Sequence, residues 1–167
     1  AALSEYRQDL NDKQLFISVI AGLSMETLAQ KLPIGAAIVR TMPNTSSTIG
    51  MGATGISFSP GVTETQREAA IAMFESVGIV KVVEEEKLDI ITGISGSGPA
   101  YVYYMIEAMI KAGVSGGLSE DTARELTLQT LAGAAEMVKT TGEQPAVLRK
   151  NVTSPGGTTE AALRVLD

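Results

Sequence analysis

The spacing of hydrophobic residues changes along this chain at about Thr92. Before that point, short apolar runs rich in β-branched residues alternate with helical patterns, and after it every periodic segment is helical. Runs of the first kind, separated by Gly and Pro, are typical of buried strands in an α/β sheet. We therefore predict an α/β region over residues 1–90 and an all-α region over residues 91–167.

The α/β region contains strand and helix candidates in alternation. Strands are predicted at 15–21, 36–41, 53–58 and 79–83. Ser24 is a suitable N-cap for a helix that ends before Pro33, and Thr63 with Gln66 forms the pattern of a capping box for a helix reaching Val77. This order of elements indicates part of a doubly wound sheet. The polar residues 1–13 fit the end of a helix followed by a connection.

A nearly uncharged segment opens the helical region. Three glycines precede Pro99, which suits the first position of a helix. Between Ala100 and Ala112 only Glu107 and Lys111 are charged, so the helix is apolar almost all round. Such a helix is usually buried, and we predict that it forms the core of the helical region and ends at Gly113. Further helices are predicted at 120–140, 146–150 and 158–166.

The amino-acid composition argues against several classes of function. The chain has 167 residues, a net charge of −6 and no His or Cys. An acidic balance argues against nucleic acid as a partner, and no apolar run is long enough to cross a membrane. We expect a cytoplasmic protein without a signal peptide, a disulfide or a metal site. Any chemistry would depend on a cofactor, on hydroxyl groups or on the backbone.

Residues 151–160 are the strongest candidate for a binding site. Asn151, Ser154 and three threonines can donate hydrogen bonds, two glycines expose backbone N–H groups, and a helix starts directly afterwards. A helix N-terminus adds partial positive charge and unpaired N–H groups, so this segment could hold a small carboxylate or phosphate. The same residues also suit a capped loop that only begins a helix.

Other segments give weaker signals. The stretch 93–101 is rich in glycine and precedes a helix, but no strand leads into it, so a phosphate loop and a structural bend both remain open. Residues 42–45 follow a strand end, where open α/β sheets bind ligands. The acidic run 84–86 is typical of a solvated face or a partner of a helix dipole. The tyrosines at 101, 103 and 104 are most simply packing residues.

Four motifs occur in the order found in one enzyme family. They are SVIAG at 18–22, RTMPNT at 40–45, ITGISGSGPAY at 91–101 and LRKNVTSPGGTTEAALRVLD at 148–167. Together they make the chain similar to pyrroline-5-carboxylate reductase across its whole length. Family members begin with a strand and Gly-rich turn that hold the NADPH pyrophosphate, and they end in further helices. The chain thus resembles the later part of a Rossmann-type nucleotide-binding domain followed by a truncated helical dimerisation domain.

The resemblance implies an activity. It is the NADPH-dependent (or NADH-dependent) reduction of the C=N bond of 1-pyrroline-5-carboxylate to L-proline, the last step of proline biosynthesis. It also implies a homodimer or higher homo-oligomer. This 167-residue chain lacks the Gly-rich turn, so we expect the chain alone to bind NADPH very poorly and to be inactive. Calorimetry that gave a micromolar affinity would contradict this expectation.

The same resemblance assigns roles to individual residues. Ser154 and the N–H groups of Gly157 and Thr158 would hold the substrate carboxylate, and Thr159 would place its hydroxyl near the ring nitrogen as proton donor or relay. The positions that match the nicotinamide side of the cofactor site are Ala21, Gly22, Met42, Pro43, Asn44 and Asn151.

Two alternative functions remain open from the sequence. A related imine or β-hydroxyacid reductase could share this architecture, although the complete SPGGTT segment disfavours it. The isolated chain could also act as a non-catalytic dimerisation module. A substrate screen with a full-length protein tests the first alternative, and nicotinamide binding by the isolated chain tests the second.

Overall fold

The computed structural model describes residues 10–166. The predicted helix end within residues 1–9 and the terminal Asp167 therefore lie outside the described residues. The chain divides into two compact units, with the first ending at Tyr103 and the second beginning at Tyr104. We describe each unit by itself. The boundary proposed from the sequence, between residues 90 and 91, stays a prediction.

The first unit is built on a four-stranded sheet in the order β1-β2-β3-β4. The strands are β1 Leu15–Ser18, β2 Ala37–Met42, β3 Gly52–Phe58 and β4 Gly78–Val82. β1 pairs with β2 and β3 pairs with β4 in parallel, whereas β2 and β3 are antiparallel. The antiparallel pair could not be read from hydrophobicity. A single turn of 3-10 helix, Thr45–Ile49, lies in the connection that reverses the chain there.

Helices cover both faces of this sheet. On one face, Ile38 packs with Met25, Leu28 and Leu32, which follow or lie within α1 (Met25–Ala29). On the other face, Val39 packs with Ile56 and with Ala70 of α2 (Glu64–Glu75). Adjacent residues of β2 thus enter opposite cores. A strand buried on both faces has a continuous apolar run instead of an alternating one, which explains the hydrophobic pattern of β2.

The helix caps predicted from the sequence are present. The Ser24 hydroxyl accepts the N–H of Thr27, and Thr63 and Gln66 form a complete capping box. The first strand is shorter than predicted, because the chain leaves the sheet after Ser18. After β4 the chain forms a short 3-10 turn, then α3 (Leu88–Ile91), and then a π-helical turn over Thr92–Gly96.

The remaining helices follow without a further strand among the described residues. They are α4 Gly98–Ser115, which contains the division between the units, α5 Glu120–Thr141, α6 Pro145–Asn151 and α7 Thr158–Leu166. Ser119 caps α5 by accepting the N–H of Thr122, and Gly142 ends it in the left-handed conformation. Both features were predicted.

The prediction that Gly113 ends α4 is wrong. The helix continues to Ser115, and Gly113 instead lies where α4 approaches α5. A Cβ added to Gly113 would be 2.9 Å from the Cβ of Ala123, closer than real Cβ atoms approach. The glycine therefore serves close helix packing and not chain reversal, which Gly117 supports with its positive φ of 98°.

The prediction that α4 is a buried core helix is also wrong for the single chain. None of its residues is buried, and its apolar residues are widely exposed, with Tyr104 at 75% and Val102 at 48%. The three tyrosines are likewise exposed and do not serve as packing residues here. The described part of the chain supplies no second helical layer for this surface. No helix within residues 10–166 is long and apolar enough to cross a membrane.

Candidate cofactor and substrate site

Two loops emerge at the same edge of the sheet in the first unit. β1 and β2 run in parallel with Ser18 opposite Arg40, so their carboxyl ends are adjacent. The turn at Ala21–Gly22 follows β1, and the segment Met42–Asn44 follows β2. Ligands of open α/β sheets bind at this edge. The fold therefore brings five of the six predicted cofactor-lining residues to one side of the sheet.

The Ala21–Gly22 turn leaves room for a ligand. Gly22 has a φ of +71°, a conformation that disfavours residues with a Cβ, and no atom lies within 4 Å of the place a Cβ would occupy. Both residues are exposed. A planar group could approach the backbone here without meeting a side chain, so the turn fits the nicotinamide side of a dinucleotide.

Asn44 fixes the second loop in place. Its side-chain Nδ2 donates to the carbonyl oxygen of Ser95 at 3.1 Å, and its Oδ1 accepts the N–H of Ala53 at 3.1 Å. The amide thus joins the end of β2 to the start of β3 and to the π-helical turn. Met42 lies in the same region, because a Cβ added to Gly96 would be 2.6 Å from the Met42 Cε.

An open cleft of about 530 Å³ adjoins this loop. It is lined by Asn44 and Ser46 and by residues of the π-helical turn and the first turn of α4, among them Ser95, Pro99 and Tyr101. A helix and a π-helical turn lead into the glycine-rich stretch, and not a strand. A phosphate loop needs a strand before its glycines. The geometry therefore favours the structural bend over the phosphate loop.

In the second unit, the residues predicted to bind substrate lie in a tight turn and in the first turn of α7 that follows it. Thr153 closes α6 by donating its hydroxyl hydrogen to the carbonyl oxygen of Arg149 at 2.7 Å. The N–H of Gly157 then donates to the carbonyl oxygen of Ser154 at 3.0 Å. Thr158 begins the helix, so its N–H and that of Thr159 belong to the first turn, where no intrahelical acceptor exists.

Gly157 is needed for the shape of this turn. A Cβ at this position would be 2.7 Å from the Ser154 Oγ and 3.1 Å from the Ser154 carbonyl oxygen. The Ser154 hydroxyl therefore lies close to the backbone at the start of α7. Ser154 and Thr158 are exposed, whereas Thr159 is half-buried. Asn151 ends α6 and is exposed beside an apolar cleft between α5 and α6.

Sequence reasoning missed the role of Glu160. Its Oε2 accepts the N–H of Gly156 at 2.9 Å and lies 3.6 Å from the Arg164 guanidinium. The Glu160 carboxylate thus closes the back of the turn and has its charge partly balanced by Arg164. A Glu at the third helical position is a known partner for the backbone just ahead of a helix, so a capping pattern was the available signal.

Two ion pairs made by a buried arginine were also missed. Arg40 is 6% exposed, and its guanidinium donates to Glu85 at 3.2 Å and to Asp89 at 2.9 Å. The same Glu85 oxygen accepts the N–H of Met25, the first residue of α1, at 2.7 Å. Glu85 is therefore a dipole partner of α1, which is one of the two roles that the sequence left open for the acidic run, and it is also an ion-pair partner. A charged residue within a buried strand was the signal that could have revealed Arg40.

The comparisons with known proteins agree with this architecture. The sequence model of the family described as Pyrroline-5-carboxylate reductase dimerisation matches residues 85–167. The chain is 52% identical over 153 residues to pyrroline-5-carboxylate reductase 2 of Bacillus subtilis, covering 92% of this chain and 55% of the relative.

Solved structures are similar as well. The pyrroline carboxylate reductase of Plasmodium falciparum with NADP bound matches with a TM-score of 0.93 at 38% identity, over 98% of this chain and 64% of that one. The enzyme from Streptococcus pyogenes matches with a TM-score of 0.91 at 32% identity, over 98% of this chain and 63% of that one.

The sheet, the two loops at its carboxyl edge and the helices that follow define a Rossmann-type α/β unit joined to an all-helical unit. Within that class the chain belongs to the pyrroline-5-carboxylate reductase family. It spans less than two thirds of the length of the relatives it matches, between 55% and 64% of the three proteins compared above.

Proposed function

We propose that the protein containing this chain reduces the C=N bond of 1-pyrroline-5-carboxylate to give L-proline, with NADPH or NADH as the reductant. The turn Ser154–Gly157 at the start of α7 is the observation that carries the proposal. It places the Ser154 hydroxyl close to the start of α7, whose first N–H groups have no intrahelical acceptor, and such groups can bind a small carboxylate. The named relatives supply the substrate and the reaction.

The reaction adds a hydride to the carbon and a proton to the nitrogen of the C=N bond, and the bound nicotinamide supplies the hydride. In the proposal, the chain's own residues bind and orient. The Ser154 hydroxyl and the N–H of Thr158 would hold the carboxylate of the substrate. The N–H of Gly157, assigned the same role from the sequence, already donates to the Ser154 carbonyl oxygen at 3.0 Å. Thr159 places its hydroxyl near the ring nitrogen, where it donates or relays the proton. The half-burial of Thr159 suits this task, because water competes less for its hydroxyl.

On the cofactor side we assign the two loops of the sheet and, from the family resemblance alone, Asn151. Ala21, Gly22, Met42 and Pro43 would offer backbone and apolar surface to the nicotinamide ring. Asn44 would hold the loop that carries this surface in place, because both ends of its side-chain amide already hydrogen-bond within the protein. The similar structure from Plasmodium falciparum with NADP bound supports the choice of cofactor.

The proposal includes a homodimer and a cytoplasmic location. The exposed apolar residues of α4 require a partner, and the family model that covers this half of the chain is described by dimerisation. A second copy of the chain is the partner that this description names. We place the protein in the cytoplasm because proline synthesis uses soluble substrates and cofactors.

The direct test measures NADPH consumption by the full-length protein with 1-pyrroline-5-carboxylate, together with proline formation. Ser154→Ala should raise KM for the substrate more than it lowers kcat, since the carboxylate is bound in both the ground and the transition state. Gly157→Ala should lower activity, because its Cβ would displace the Ser154 hydroxyl. A wild-type protein that forms no proline, but reduces another imine or a β-hydroxyacid, would overturn the assignment.

A further inference from the structure

A single buried side chain joins the three segments that surround the proposed cofactor loops. Arg40 lies on β2 two residues before Met42. Its Nη1 contacts Glu85 at 3.2 Å and its Nη2 contacts Asp89 at 2.9 Å. Both partners belong to the connection between β4 and the π-helical turn. The end of β2 is therefore fixed to that connection by two charged hydrogen bonds.

The network extends to the other cofactor loop through Glu85. Its Oε1 accepts the N–H of Met25 at 2.7 Å while it also accepts from Arg40. Met25 is the first residue of α1 and lies three residues after Gly22. The carboxylate thus fixes the helix N-terminus that directly follows the Ala21–Gly22 turn. Negative charge is favourable at this end of a helix.

The two acidic partners of Arg40 differ in how far their side chains are exposed. Glu85 is largely enclosed, with 28% of its side chain exposed, whereas the Asp89 side chain is 70% exposed. Asp89 contacts Arg40 alone among the hydrogen bonds described for it, and Glu85 contacts both Arg40 and α1. Loss of Glu85 should therefore loosen the Ala21–Gly22 turn, and loss of Asp89 should not.

We propose that Arg40 is a positioning residue for the cofactor: through Glu85 it holds the Ala21–Gly22 turn and the Met42–Asn44 loop in register with each other, and the exposed Asp89 contributes little. Arg40 itself need not touch the nicotinamide. A guanidinium suits this position because its rigid fork binds two carboxylates at once, which a Lys ammonium on a flexible stem does less well. The proposal rests on the proposed function, because that function assigns the two loops to the cofactor.

The test compares variants of the full-length protein at a temperature where all remain folded. Arg40→Met keeps an unbranched apolar stem and removes the guanidinium with both ion pairs. It should raise KM for NADPH at least tenfold while kcat falls less than threefold. Arg40→Lys should recover part of this loss. Glu85→Ala should resemble Arg40→Met, Glu85→Gln should be milder because Gln can still accept the Met25 N–H, and Asp89→Asn should change KM less than twofold.

A control variant separates positioning from general destabilisation. Ile71 on α2 packs against the core on the opposite face of the sheet, so Ile71→Ala weakens the same unit without touching the network. It should lower Tm and leave KM for NADPH unchanged. An Arg40→Met enzyme with unchanged KM, or an Ile71→Ala enzyme whose KM rises equally, would overturn the proposal.

Amide hydrogen exchange provides a readout that needs neither cofactor nor activity. In cofactor-free protein, Arg40→Met should speed exchange in residues 21–25 and 42–44 at least tenfold relative to Ile71→Ala. Unchanged exchange in both segments would also overturn the role of Arg40. If the wild-type protein does not reduce 1-pyrroline-5-carboxylate, the proposed function fails while this measurement still decides whether Arg40 holds the two loops together.

Discussion

The two units of this chain bury their apolar residues to very different extents. In the first unit, Val39 and Ile56 are completely buried between the sheet and its helices. In the second unit, only Ala123 and Thr127 are buried among the described residues, although its helices are just as rich in apolar side chains. A sheet with helices on both faces completes its core within one chain. Paired helices without a second layer do not, so their apolar surface indicates an interface.

The largest effect should come from placing a charge on that surface. Met105 lies on α4 and is 38% exposed in the single chain. If a second copy covers it, Met105→Glu places an unpaired carboxylate in the interface, which costs about 3–5 kcal/mol for each buried charge. The wild-type chain should be a dimer at micromolar concentration by light scattering, and the variant should be a monomer.

Glu107→Gln provides the matched control on the same helix. Glu107 is exposed and paired with Lys111 at 3.9 Å, so its replacement should leave the dimer intact. If light scattering shows that the wild-type chain is a monomer at micromolar concentration, the inference that the apolar surface of the second unit is an interface would be contradicted.

A core truncation in the first unit should be the next largest effect and should not depend on association. Ile56 is 0% exposed, and Ile56→Ala leaves a cavity between β3 and α2 that costs about 2–5 kcal/mol. Its effect on the free energy of unfolding, measured in denaturant, should be the same at all protein concentrations. For a core truncation in the second unit, the measured change in the free energy of unfolding should vary with protein concentration. The reason is that dimerisation is coupled to the stability of that unit.

Substitutions of Thr159 test the proposed proton transfer in the second unit separately from the stability of that unit. In the full-length enzyme, Thr159→Val keeps the shape and removes the hydroxyl donor. A hydrogen bond to a charged group is worth about 1.5–3 kcal/mol, so kcat should fall roughly 10- to 150-fold. Thr159→Ser should keep most of the activity. An unchanged kcat in the valine variant would show that the proton comes from water or from the substrate, and Thr159 would be only part of the helix start.

Removal of a helix cap should have the smallest effect on the free energy of unfolding, and the effect should be equal in the two units. Ser24 and Ser119 cap α1 and α5 in the same way, each hydroxyl accepting the N–H three residues later at 3.2 Å. Caps are local, so Ser24→Ala and Ser119→Ala should each cost about 1 kcal/mol in thermal or chemical unfolding. A much larger loss for one of them would mean that its serine also supports tertiary contacts.

Local features of the fold could be predicted from the sequence because their causes are local. The N-caps at Ser24 and Ser119, the capping box at Thr63 and the helix end at Gly142 depend on residues within one turn of each other. The apolar run at 36–41 likewise predicted the strand β2. The family motifs indicated which loops and which turn to consider as the site, and those assignments stay proposals.

Only the tertiary structure decided the features that depend on distant partners. The antiparallel pairing of β2 with β3, the contact of Gly113 with Ala123 and the exposure of α4 depend on what packs against each element. Arg40 reads in the sequence as a lone charge in an apolar strand, and its acidic partners lie 45 and 49 residues away. Hydrophobic periodicity reports that a surface will be buried, but the folded chain determines whether its own residues or another copy bury it.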